Sequence, residues 1–332
     1  MKAFIVDRYG NGPMRLGEVP EPTVGDDDVL VEVHAAGLNV LDAKIKHGEF
    51  KLFLAYRPPF VLGHDLAGIV LRVGSRVTRF KPGDAVYARA ADGRIGTFAE
   101  RISVNQADLA AKPKNLSMEE AASIPLVGLT AWQALVERAQ VRAGQKVFIQ
   151  AGSGGVGSFA IQLAKHLGAT VATTAGTGNL KLVRDLGADV VVDYKKDDFE
   201  QSLEDYDVVL HSQDAKTLEK SWSVLKPGGH MISISGPPDP AFARQVKGPW
   251  FLPVAVRLLS LGARRRAQRM GATYSFLFMR AAGEQLSRIG ELIERGAIRP
   301  VLDRVFPFES THEALAYLES GRAKGKVVVK LR

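Results

Sequence analysis

No cysteine occurs among the 332 residues of this chain. Its absence excludes disulfides, thiolate zinc sites, iron–sulfur clusters and cysteine nucleophiles, and it fits a reducing compartment. No apolar run approaches the ~20 residues of a membrane span. The opening MKAFIVDRYG lacks the apolar core of a signal peptide and reads as a strand and turn, so a soluble cytoplasmic protein is expected. No internal repeat or low-complexity stretch is present. The 44 Lys plus Arg exceed the 36 Asp plus Glu, for a net charge of +8, and the positive charge is mostly spread out. The one dense cluster is Arg264, Arg265, Arg266 and Arg269, just after the apolar stretch Trp250 to Leu261. A solvated helix face is the favoured reading of that cluster, ahead of a membrane-surface or nucleic-acid patch.

At roughly 100–200 residues per domain, the length suggests about two domains. Residues 1–110 hold short apolar or alternating runs between turn signals, such as Asp28 to His34, Ala67 to Val73 and Ala85 to Ala88. They predict an all-β domain. Ser117-Met-Glu-Glu120 is a capping box that starts a helix, and Gly128 to Ala139 continues at helical period. From Lys146 onward strands and helices alternate, which predicts a doubly wound parallel sheet. Residues 240–270 read as an irregular helical excursion. The terminal run Ala323 to Lys330 reads as a strand that returns to the first domain.

Gln150-Ala-Gly-Ser-Gly-Gly-Val-Gly157 contains G-x-G-x-x-G at Gly152, Gly154 and Gly157. The motif is weak alone, but here it follows a strand and opens a helix, the context a dinucleotide needs. Gly152 permits the tight turn, Gly154 lets the backbone approach a pyrophosphate, and Gly157 lets helix and strand pack closely. An acid roughly 20 residues further on would bind the ribose 2′-hydroxyl of NAD. Thr173 to Thr177 supply none, and Lys181, Arg184 and Tyr194 follow. NADP(H) is therefore the expected cofactor, with Thr174, Gly176, Lys181 and Tyr194 as candidate contacts.

Gly63-His-Asp-Leu-Ala-Gly68, continuing through Gly74 to Val77, resembles the GHE-x-x-G-x5-G-x-x-V pattern of medium-chain dehydrogenases/reductases. Pro125 to Ala131, Leu225 to Gly229 and Gly321 to Val328 extend the likeness over nearly the whole chain. The resemblance implies an α/β protein, a GroES-like β domain (1–122 and 279–332) plus a Rossmann domain (123–278), and a homodimer. Val33 to Asp42 is similar to the zinc-free quinone oxidoreductase branch, with Asn39 where zinc enzymes carry a cysteine ligand. Gly296 to Val301 and Phe306-Pro-Phe308 resemble segments of the alkenal/one reductases and reticulon-4-interacting reductases.

What the resemblance implies is a reductase moving hydride from NADPH to quinones or α,β-unsaturated carbonyls without metal. Ser153, Gly154, Gly155 and Val156 would hold the pyrophosphate. Gly176 and Tyr194 would flank the 2′-phosphate, with Ser212 and Ser235 as further cofactor contacts. Phe276 and Phe278 would lie beside the nicotinamide half, and Arg322, Ala323 and Lys324 at the domain junction. Asn39 and Thr130 are the family-position candidates near the nicotinamide, and Lys44 and Tyr56 are candidate donors to the acceptor. Lys44 has an equally weighted alternative as a surface lysine with its stem on apolar neighbours. His64 and Asp65 form too small a donor set for zinc and are expected to be a structural hydrogen-bonded pair. Two departures stand out. Asp65 replaces Glu, and His211-Ser-Gln-Asp-Ala215 replaces the usual D-x-V-G-G. The second keeps open an NADPH-binding sensor with little turnover.

Overall fold

Short β-forming runs punctuated by Gly, Pro and Asp build the first part of the chain. The computed structural model describes every residue except Ala55 and Lys247. Strands β1 (Lys2–Val6), β2 (Arg15–Glu18) and β3 (Asp28–Leu38) lead into helix α1 (Val40–His47). Strands β4 (Phe60–Val61), β5 (Asp65–Val73), β6 (Ala85–Arg89), β7 (Arg101–Asn105) and β8 (Leu109–Ala111) follow. The all-β expectation thus missed α1. Asn39 is its N-cap, and the Asp42 side chain accepts the Asn39 amide hydrogen at 2.8 Å. That local capping signal ends the strand.

Helix α2 (Met118–Ala122) begins at the expected capping box, with Ser117 and Glu120 exchanging bonds of 2.8 and 3.1 Å. Helix α3 (Pro125–Trp132) continues as a π-helical turn over Gln133–Arg138.

The next stretch is β9 (Lys146–Ile149), α4 (Gly155–His166), β10 (Thr170–Ala175), α5 (Leu180–Asp185), β11 (Val190–Asp193), β12 (Tyr206–His211), α6 (Ala215–Ser221) and β13 (Leu225–Ser233). The excursion at 240–270 resolves into three helices, α7 (Pro240–Gln245), α8 (Leu252–Leu259) and α9 (Leu261–Arg269), before β14 (Thr273–Phe276). These six strands form one parallel sheet, ordered β11-β10-β9-β12-β13-β14. The order reverses between β9 and β12. That switch point opens a crevice at the strand C-termini, where doubly wound sheets bind ligands. Phe148, Val209, Met231 and Trp222, each fully buried, centre its core.

The chain then returns through α10 (Gly283–Glu294), β15 (Leu302–Pro307), α11 (Thr311–Glu319) and β16 (Lys326–Lys330). Strand β16 pairs antiparallel with β3, Val327 opposite Leu38, in a sheet ordered β15-β16-β3-β5-β6-β8 with β7 also on β3. A smaller sheet holds β2-β1-β4. Two compact units result, Met1–Leu129 with Arg280–Arg332, and Thr130–Met279. Among the described residues no helix is long and apolar enough to cross a membrane.

Candidate functional site

In the parallel-sheet unit the glycine loop leaves β9 and enters α4. A Cβ on Gly152 would stand 2.2 Å from Thr173 Oγ1, and one on Gly157 2.3 Å from the Ala151 carbonyl. Both positions therefore exclude any side chain. The Gly152 N–H donates to the Thr174 carbonyl at 2.9 Å, and the Ala151 N–H to Thr174 Oγ1 at 3.1 Å. Thr174 is buried and braces the loop from behind. No side chain caps α4 at Gly154. The first-turn amides and the positive dipole end are left to an anion.

Strand register decides what stands beside the loop. Ala175 pairs with Asp193, which brings the residues after β11 next to those after β10. At Gly176 a Cβ would lie 3.2 Å from the Tyr194 hydroxyl and 3.5 Å from Lys195 Cε. Tyr194 is 61% exposed. Lys181, a candidate contact, lies on α5. Its side chain is 87% exposed and pairs with Asp185 at 2.7 Å along α5. An i,i+4 acid competes for the ammonium there. The basic neighbour of Gly176 is Lys195, which sequence reading missed because its side chain reaches across from the adjacent strand. An acid was missed for the same reason. Asp193 lies at the end of β11, but its carboxylate is engaged, accepting from the Thr177 hydroxyl at 2.6 Å and the Lys195 N–H at 3.1 Å. The Thr177 bond holds it below the usual carboxylate range. Asn179 Nδ2 donates to Ser153 Oγ at 3.2 Å, while Asn179 Oδ1 is buried without a partner.

The departure at His211 sits at the C-terminal end of β12. The ring is fully buried, with Nδ1 2.7 Å from Ser233 Oγ and Nε2 3.1 Å from the Asp214 carbonyl. A carbonyl only accepts, so Nε2 carries the proton and Nδ1 accepts from the Ser233 hydroxyl. The Ser212 N–H donates to Gln150 Oε1 at 3.3 Å, and the Ser235 hydroxyl to the Gln213 carbonyl at 2.6 Å. The replacement therefore ties together the turns after β12 and β13. Phe276 and Phe278 pack edge-on against Phe242 at 5.4 and 5.3 Å.

Burial pushes the His211 imidazole below its ordinary value of 6.5. The unfolded chain then binds the proton first, so this group costs stability as pH falls below about 6.5. Stability should drop between pH 7 and 5 with a slope from this group of up to about 1.4 kcal/mol per pH unit. Urea unfolding of the protein and of His211→Asn across that range checks this. An unchanged slope in the variant refutes the assignment.

In the other unit a buried polar cluster gathers where β3, β5 and β16 meet α1. Asn39 Nδ2 donates to Asp65 Oδ2 at 3.0 Å, and Lys326 Nζ donates to Asn39 Oδ1 at 2.5 Å and to the Leu38 carbonyl at 2.8 Å. Lys326 Nζ also lies 3.4 Å from Asp65 Oδ2. Asp65 Oδ1 accepts the Leu126 amide hydrogen at 2.9 Å, and His64 Nδ1 meets Asp42 Oδ1 at 2.6 Å. Burial pushes the Asp65 carboxyl up and the Lys326 ammonium down, each opposed by the other's charge. Lys326 was not singled out from the sequence.

Both ends of the Asn39 amide are occupied within this cluster. Lys44 is half-exposed and pairs with Glu49 at 3.1 Å, with its ammonium 5.9 Å from the Phe50 ring. Tyr56 stacks on Phe60 at 5.4 Å, and its hydroxyl accepts the Gly93 amide hydrogen at 3.1 Å. Burial pushes its phenol up to about 12. Thr130 is buried at the start of the second unit. Arg322, Ala323 and Lys324 occupy the turn between α11 and β16.

Residues 25–114 match the alcohol dehydrogenase GroES-like domain, and residues 186–329 match the zinc-binding dehydrogenase family. The chain is 37% identical over 341 residues to the 2-methylene-furan-3-one reductase of Solanum lycopersicum, covering 99% of this chain and 79% of that protein. Identity and coverage are the same for the NADPH-dependent alkenal/one oxidoreductase, chloroplastic, of Arabidopsis thaliana. The quinone oxidoreductase of Coxiella burnetii superposes with a TM-score of 0.86 at 31% identity, covering 100% of this chain and 99% of that one.

The second family description implies zinc, and the donors do not fit it. There is no cysteine. Among the described residues no three His, Cys, Asp or Glu side chains are grouped to hold a metal. Asp65 faces the Lys326 ammonium, and His64 Nδ1 is taken by Asp42.

Proposed function

The chain belongs to the medium-chain dehydrogenase/reductase family, and from this we propose that it is an NADPH-dependent reductase of quinones or α,β-unsaturated carbonyl compounds that works without zinc. The carrying observation is a glycine cradle with Tyr194 and Lys195 beside Gly176, in a chain whose polar cluster is neutralised by its own lysine. A bound nicotinamide supplies the hydride. The amides opening α4 hold the pyrophosphate, and Gly152 and Gly157 keep the loop close to β10 and α4. Tyr194 and Lys195 take the 2′-phosphate. Conjugated acceptors suit a metal-free site because the carbonyl delocalises the added charge. The protein then needs a neutral donor for the developing enolate. Tyr56 fits, since burial keeps its proton on and its hydroxyl hydrogen is free of the bond it accepts from Gly93. Asn39, held by Lys326 and Asp65, shapes this end of the sheet.

NADPH should be preferred over NADH by at least ~10-fold in kcat/KM, which needs only ~1.4 kcal/mol. One charge-assisted bond to the 2′-phosphate supplies about 1.5–3 kcal/mol. Lys195→Glu should narrow or reverse the preference, whereas Lys181→Glu should change it less than about twofold because that side chain faces solvent. Both cofactors are compared with one quinone at fixed ionic strength. Equal values refute the NADP assignment, and tight NADPH binding with no turnover on any quinone or enone favours the sensor.

Purified protein should contain no stoichiometric zinc and keep full activity after chelation. Elemental analysis finding zinc, with activity lost to chelator, overturns the metal-free reading.

A further inference from the structure

Residues 240–283 carry eight basic side chains and no acidic one. The whole chain has 44 Lys plus Arg against 36 Asp plus Glu, so everything outside this segment balances at 36 against 36. The formal excess of positive charge thus equals that of this segment, while the other 36 basic residues are spread along the chain and matched by 36 acids.

The same segment exposes apolar surface. Helix α8 turns Leu252, Val256 and Ser260 inward at helical spacing. Its other face is largely apolar, leaving Val254 61%, Leu258 65% and Leu259 64% exposed beside the exposed Arg257. Trp250, just before the helix, is 89% exposed. The buried face of this short helix has a partner in the fold, and the exposed apolar side chains have none. In α9, Ala263 and Ala267 anchor the helix on the Trp222 core, and Arg266 pairs with Glu219 at 2.6 Å. Arg265 and Arg269 line a shallow recess with Arg266 and Met270.

We propose that α8 and α9 form a peripheral docking surface for an anionic lipid bilayer. Trp250, Leu258 and Leu259 enter the interface and the arginines meet the headgroups, which is the chemistry of an interfacial amphipathic segment. A second copy fits poorly, because a two-fold contact sets the patch against itself, where Glu219, the acid lining the recess, is already paired with Arg266. Nucleic acid would use the arginines but leave Val254, Leu258 and Leu259 without a counterpart. The surface stands independently of the proposed reductase activity.

The test is flotation of the full chain with phosphatidylcholine vesicles, with and without about one third phosphatidylserine, at low salt. Binding is expected only to the anionic vesicles. It should weaken about fivefold each for Arg265→Gln and Arg269→Gln, and be lost in a Trp250→Ser, Leu258→Ser double variant. Trp222 is fully buried and Trp132 partly so, which makes Trp250 the exposed reporter. Its emission should shift to the blue and be quenched by brominated acyl chains. NADPH turnover with a soluble acceptor should be unchanged in these variants. No binding to anionic vesicles, or binding the variants leave intact, overturns the proposal. So does tighter binding to a short DNA duplex, or a dimer that Leu258→Ser dissociates.

Discussion

Gly155→Asp is expected to lower NADPH affinity at least about 100-fold, or ~2.7 kcal/mol, while the protein still folds. Gly155 is the first residue of α4, immediately after the N-cap Gly154. An acid in a helix's first turn favours the helix by about 0.3–1 kcal/mol through the dipole, so the fold should not suffer. The same carboxylate would sit where the pyrophosphate must approach. Two like charges about 4 Å apart repel by roughly 4 kcal/mol near a protein surface, so the predicted loss is conservative. Gly155→Ala separates bulk from charge and should lose far less. Fluorescence titration with NADPH, beside thermal unfolding of the same samples, makes the measurement. Unchanged affinity in Gly155→Asp would show that the loop is not the site.

Lys326→Met should destabilise the protein by about 3–5 kcal/mol at neutral pH, because it strips one partner from a buried ion pair and leaves the other charged. The ammonium holds Asn39 Oδ1, the Leu38 carbonyl and Asp65 Oδ2, so Asn39 also loses its orientation. The pH dependence identifies the cause. Burial already lifts the Asp65 carboxyl above its ordinary value of 3.8, and removing the lysine lifts it further. For a group whose folded pKa is raised, ionisation costs stability as pH climbs above the unfolded value. The deficit of Lys326→Met should therefore be largest near neutrality and shrink as pH falls toward 4. Adding Asp65→Asn should recover much of the loss, a non-additivity expected of side chains in contact. Urea unfolding at several pH values reads all three. A deficit independent of pH would assign Lys326 to packing alone.

The residues themselves carry the glycine loop, the Ser117–Glu120 capping box and the alternation of strands and helices. Each depends on contacts within a few residues: a backbone that tolerates no Cβ, an amide that needs a cap, a face that must be buried. The resemblance to a dehydrogenase family rests on these same short segments. What the linear order left open is which distant groups meet. Lys181 lies nearer in sequence to Gly176 than Lys195 does, but the parallel pairing of Ala175 with Asp193 brings Lys195 across and leaves Lys181 on the outer face of α5. Lys326 reaches Asn39 across 287 positions because β16 pairs with β3. Trp222 and Trp250 are the same residue type, one fully buried in the core of the parallel sheet and one 89% exposed in the turn before α8. Capping and glycine signals act over one turn and are legible in one dimension. Strand register and helix facing depend on the burial of whole faces at once, and those only the tertiary structure decides.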